Sequence, residues 1–214
     1  MRLTRGEPCW LAKPQTEGMG LNAKKHSSDN DSEPQEMKDH YNVLFLCTGN
    51  SARSIMAEAI LNFKGKPRFT AYSAGSHPSG IVRPEAVARL ESAHVPTDGL
   101  RSKSWEEFTK PGAPKLDFVF TVCDNAAKEV CPLFPGSLMS ARHTGKDARA
   151  STIIVAHWGV PDPAAVNGSS QEVERAYREA FTILDRRIGL FLSLPLASID
   201  KLALKKEVDK IGQQ

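Results

Sequence analysis

Cys47 and Arg53 bracket five residues, Thr48, Gly49, Asn50, Ser51 and Ala52, within the stretch VLFLCTGNSARS. An apolar run leads into the cysteine, and SIMAEAILNF follows the arginine with helical spacing of its apolar residues. In a loop between a strand and a helix, the first helical amides have no partner within the helix and point toward the loop. The helix dipole adds partial positive charge at that end, where anions bind readily. Residues 48 to 52 are small enough for their amides to converge into a concave nest, and Gly49 can take a positive φ at little steric cost. Arg53 supplies a planar fork for two oxygens of a tetrahedral anion. The same field stabilises a thiolate at Cys47, with Ser54 and Thr48 as further hydrogen-bonding groups, so the expectation is a thiol lowered from its ordinary value. The chemistry is attack by sulfur on a bound tetrahedral oxyanion. Phosphate esters, arsenate and sulfate all meet that description.

A lone cysteine at a strand end is more often a buried core residue. What separates Cys47 from that reading is the order strand, small polar loop, arginine, helix. A second cysteine, Cys123, stands at the end of another apolar run, LDFVFTVC, and Cys131 follows eight residues later. C-x2-C spacing is absent, so no metal site is expected.

The elements that must position these residues alternate in type from Tyr41 onward. NVLFLC, RFTAYSAG, LDFVFTVC and STIIVAHW read as short buried strands. SIMAEAILNF reads as a helix with Ile55, Met56, Ala59, Ile60 and Phe63 inward. RPEAVARLESA reads as a helix with Pro84 in its first turn and Val87, Ala88 and Leu90 inward. SKSWEEF is a short helix capped by Ser102 or Ser104. SQEVERAYREAFTILDRRIGLFL carries an apolar stripe from Val173 through Ala176, Tyr177, Ala180, Phe181 and Leu184 to Ile188, with charges opposite. This alternation implies an α/β fold in three layers, a four-stranded parallel sheet flanked by helices on both faces. Ligands of such sheets sit beyond the carboxyl ends of the strands, where Cys47 and Cys123 both fall.

Residues 1–40 are polar and lack large apolar side chains over most of their length, so they are expected to form a disordered extension, with Met37 an alternative start. Residues 41–193 are expected to form the catalytic domain and 194–214 a helical tail, SIDKLALKKEVDKIGQQ containing a weakly amphipathic helix. A net charge of +3, from 28 basic and 25 acidic residues, argues against nucleic acid as a partner. No apolar run approaches the roughly 18 residues of a membrane span. Four scattered cysteines and no secretory signal point to a reducing, cytoplasmic setting.

Four segments in order, CTGNSARS, YSAGSHP, FTVCDNAAKEVCP and HWGVPDPAA, resemble the low-molecular-weight protein tyrosine phosphatase fold, and within it the arsenate reductases. Phosphatases of this fold usually carry a second cysteine where Ala52 stands, and aromatic residues after the acid, where this chain has Ala164 and Ala165. The resemblance implies Cys47 as nucleophile, Arg53 with residues 48 to 54 as the oxyanion seat, and Asp162 as general acid. By itself an Asp-Pro pair more often makes only a turn. It also implies that Cys123 and Cys131 relay a disulfide, although their spacing is one residue longer than that class leads one to expect. The reductant is then thioredoxin, or glutathione with glutaredoxin, acting as co-substrate with no bound cofactor. Asn50, Glu58 and Ser73 match positions that hold potassium in some relatives, and a buried hydrogen-bond set is an equal alternative. Residues 137–152 read as an insertion. The expected activity is conversion of arsenate to arsenite, and the alternative is phosphomonoester hydrolysis.

Overall fold

The computed structural model describes residues 38–129 and 153–214. Strands β1 (Tyr41–Cys47), β2 (Phe69–Gly75), β3 (Phe118–Thr121) and β4 (Ile154–His157) form one parallel sheet in the order β2-β1-β3-β4. Between and after them run α1 (Arg53–Lys64), α2 (Pro84–Ser92), α3 (Asp124–Glu129), α4 (Ser170–Leu192) and α5 (Lys201–Gly212). The expected α/β architecture with a four-stranded parallel sheet is thus the observed one. Cys131 and the 137–152 insertion lie outside the described residues, as does nearly all of the N-terminal extension.

Alternation along β1 sets the orientation of the site. Val43, Phe45 and Cys47 face the larger core, whereas Leu44 and Leu46 face the smaller one. The larger core joins α1, α4 and α5 to the sheet through Phe45, Phe118, Phe120, Trp158 and Phe191, and the Phe120 and Trp158 rings stack at 4.1 Å. The smaller core is closed by Trp105 and Phe108 of a 3₁₀ turn, Trp105–Phe108, packed on Leu44, Leu46 and Val119. That turn takes the place of the expected helix over SKSWEEF, and Ser104 caps it by accepting from the amide of Glu106.

Three local expectations need correction. Phe63 is half exposed, because Asn62 takes the sheet-facing place in the last turn of α1 and pairs with both backbone groups of Ala71 on the edge strand β2. In α2 the buried residues are Ala86 and Leu90, one turn apart, and Ala88 faces outward. β3 ends at Thr121, so Cys123 sits beyond the strand, with its carbonyl accepting from Ala127 in the first turn of α3. No helix among the described residues is long and apolar enough to cross a membrane.

Candidate active site

The carboxyl ends of β1 and β3 open into a cavity of about 540 Å³. Cys47, Arg53, Asp162 and Cys123 all line it, together with Thr48, Gly49, Ser51 and Ala52. Asn50 and Ser54, also assigned to the anion seat, are fully buried behind the loop. Helix α1 begins at Arg53 with no side-chain cap and no acidic residue in its first turn. Its amino-terminal amides are therefore left for the loop and whatever the loop binds.

The loop folds around the sulfur. The amide of Asn50 donates to Cys47 Sγ at 3.1 Å, and Ser54 Oγ lies 2.9 Å from it. The positive φ expected at Gly49 occurs instead at Asn50, at 42°. Asparagine tolerates this left-handed region better than most residues, and here its side chain is held on every side. Asn50 Oδ1 accepts from the amide of Lys103 at 2.7 Å, which settles which end of the side chain is the amine. That amine donates to Ser54 Oγ at 3.0 Å and to Ser73 Oγ at 2.9 Å. One of the two lone pairs of Ser54 Oγ is taken by Asn50, and against a Cys47 thiolate, which has no proton of its own, the Ser54 hydroxyl is the donor. The Ser73 hydroxyl gives its own to Glu58 Oε2.

Burial pushes the Cys47 thiol up from its ordinary value, opposed by the Ser54 hydroxyl and the amides of Asn50 and Ser54, with nearby Cys123 adding to the rise. The expectation of a lowered thiol therefore meets a desolvation cost that the sequence pattern does not display. Arg53 donates to the Val160 carbonyl at 3.1 Å and to Asp162 Oδ2 at 2.7 Å. The other oxygen of Asp162 accepts from the amide of Ala164 at 3.1 Å. Asp162 is thus both a turn residue and a carboxylate on the cavity wall, held beside Arg53. Cys123 is buried with its sulfur 3.5 Å from Thr48 Oγ1, which places a second thiol on the same cavity.

Some residues of the site escaped the sequence reading. Arg83 lines the cavity, and its amide donates to the Ser51 carbonyl at 2.9 Å. Asp124 and Asn125 line the side next to Cys123, and their adjacency to that cysteine was the available signal. His157 bridges Thr121 and Asp124, tying the ends of β3 and β4 to α3. Arg187, buried on α4, donates to the Gly159 carbonyl at 3.0 Å and so supports the segment that carries Val160 and Asp162.

The set implied for potassium does converge, but it does not fit the ion. Lys103 is buried, with its Nζ 3.3 Å from Glu58 Oε2 and 3.4 Å from the Arg101 carbonyl. Asn50 turns its amine, not its carbonyl, toward Ser73. The carboxylate that would meet a monovalent cation already meets an ammonium. Burial raises the Glu58 carboxyl, against the pull of Lys103 and the Ser73 hydroxyl.

A cysteine and an arginine at the two ends of an amide-rich loop, at the carboxyl edge of a parallel sheet, share one cavity with an aspartate held beside the arginine. The family model described as low molecular weight phosphotyrosine protein phosphatase matches residues 42–209, and the chain belongs to that family. It is similar to the arsenate reductase of Oceanobacillus iheyensis, at 30% identity over 149 residues, 70% of this chain and 93% of the relative. It is also similar to the arsenate reductase of Bacillus subtilis strain 168, at 31% over 130 residues, 61% of this chain and 79% of the relative. Among solved structures, the low molecular weight protein tyrosine phosphatase from T. tengcongensis shares the fold, with a TM-score of 0.52 and 24% identity over 70% of this chain and 95% of that one.

Proposed function

We propose that this enzyme reduces arsenate to arsenite in a reducing, cytoplasmic setting. The observation that carries the reading is a second buried thiol, Cys123, on the wall of the cavity that holds Cys47. Arsenate settles on the loop amides, and Arg53 turns from Asp162 to grip two of its oxygens. The Cys47 thiolate attacks arsenic: a sulfur–arsenic bond forms, an arsenic–oxygen bond breaks, and Asp162 protonates the departing oxygen. A second thiolate, from Cys123 or glutathione, then attacks the Cys47 sulfur. The disulfide bond forms as the sulfur–arsenic bond breaks, and its electron pair passes to arsenic, which leaves as arsenite. Thioredoxin, or glutaredoxin with glutathione, restores the thiols. In the thioredoxin-coupled route Cys131 resolves the disulfide between Cys47 and Cys123.

Hydrolysis of a phosphomonoester is the second reading, supported by the family match itself. The cavity wall after Asp162 is made by Ala164 and Ala165, which offer an aromatic ring no stacking partner. Arsenite formation from arsenate, measured with each reductant system in turn, tests the proposal. Cys47→Ser is expected to abolish arsenite formation, and retained turnover rejects the scheme. Cys123→Ser is expected to stop the thioredoxin-coupled reaction, and to spare a reaction in which glutathione supplies the second thiol.

A further inference from the structure

We propose that Lys103 is a built-in cation of the oxyanion loop, which makes the enzyme independent of potassium. The proposal rests on the loop being an oxyanion seat, and not on what happens to the anion afterwards.

Lys103 lies on the far side of the loop from the cavity, with a side chain only 6% exposed. Charged lysines are rarely so buried unless they are paired, and its partner is the 12% exposed carboxylate of Glu58. From that pair a directed set of hydrogen bonds leads to the nucleophile. Glu58 accepts from Ser73, Ser73 accepts from Asn50, Asn50 donates to Ser54, and Ser54 reaches the Cys47 sulfur. The amide of Lys103 closes the ring by donating to Asn50 Oδ1.

Asn50 is the residue under backbone constraint, with its positive φ aiming its own amide at sulfur. Without a cation beside it, the Glu58 carboxylate would be a buried unpaired charge. It would then recruit water or an ion, or pick up a proton and compete with Ser73 as a donor. Any of these loosens Asn50, and with it the loop amides that hold the anion. A tethered ammonium removes the requirement for a dissolved one. Lys103 touches neither the nucleophile nor the cavity, so it acts as a positioning residue.

The test uses the full chain and inorganic phosphate as the probe, with affinity measured by calorimetry in potassium, sodium and choline chloride at equal ionic strength. The unmodified protein is expected to bind phosphate equally in all three, within twofold, and to melt at the same temperature in each. Tighter binding or a higher melting temperature specifically in potassium overturns the proposal. Lys103→Ala vacates the ammonium position. It is expected to bind phosphate at least tenfold more weakly in choline and to recover affinity in potassium, a response that a merely structural lysine would not show. Undiminished phosphate affinity of that variant in choline also overturns the proposal. If Lys103→Ala fails to fold, Lys103→Met keeps the packing of the stem and carries the same expectation of weakened binding. Failure of the unmodified protein to bind phosphate in any salt refutes instead the oxyanion seat.

Discussion

Ser54 shows how much of the environment of Cys47 depends on a single proton. Ser54 Oγ accepts from Asn50 and lies 2.9 Å from the Cys47 sulfur, so once Cys47 is a thiolate, with no proton of its own, the serine hydroxyl is the donor of that contact. A hydrogen bond to sulfur favours the thiolate, whereas burial favours the thiol. Removing the hydroxyl leaves burial less opposed, so the sign of the effect is upward. Ser54→Ala is expected to move the pH profile of Cys47 alkylation by iodoacetamide to higher pH. The rate at neutral pH should fall about tenfold, the equivalent of one hydrogen bond to a charged group. An unchanged profile would mean that the proton points elsewhere. Of this environment, C-x5-R was legible in the chain because the motif is local. The pairing of Lys103 with Glu58 was not, because SKSWEEF gives no local sign that its lysine is buried against a carboxylate on α1.

At the scale of elements, the site depends on a glycine at the end of β2. Cys47 and Gly75 are register partners, and the Gly75 amide donates to the Lys103 carbonyl at 2.9 Å. A Cβ at Gly75 would stand 2.5 Å from the Thr48 carbonyl oxygen and 3.0 Å from the Asn50 amide nitrogen. Both are backbone atoms of the loop between β1 and α1, so no side-chain rotation relieves the contact. Gly75→Ala is expected to cost about 1–3 kcal/mol of stability. It should lower turnover by on the order of a hundredfold, the effect of displacing a positioned group by about an ångström. Calorimetric melting beside steady-state kinetics separates the two, and full activity would show that the loop yields without loss. Strands, α1 and α4 were legible because burial imposes a period on their residues. The departures arose where a polar residue serves the backbone, as Asn62 does at Ala71, or where alanine carries too little area to mark a face, as at Ala86 and Ala88.

Across the whole molecule, the segment that carries Asp162 is held from behind by the last helix. Arg53, Val160 and Asp162 form one hydrogen-bonded corner, and that corner follows directly on Trp158. The Trp158 indole stacks on Phe120 and donates to the Val208 carbonyl of α5 at 3.0 Å. Leu204, Val208 and Ile211 of α5 are buried in the larger core, and a Cβ at Gly212 would lie 2.1 Å from the His157 carbonyl oxygen. The weak apolar pattern of the tail therefore understates its role, because three buried side chains and one backbone acceptor suffice to seat it on β4. Removing residues 199–214 uncovers those three side chains' partners and leaves the indole N–H without its acceptor. At about 1.5–3 kcal/mol for each buried side chain, the loss is comparable with the net stability of a domain. The truncated chain is expected to melt far below the full one, with tryptophan emission shifted to the red. A milder variant, Val208→Ala, retains the backbone acceptor and is expected to cost about 1–3 kcal/mol while sparing phosphate affinity. If the truncation left the melting temperature and phosphate affinity unchanged, α5 would be an appendage and Trp158 would hold the Asp162 corner without it.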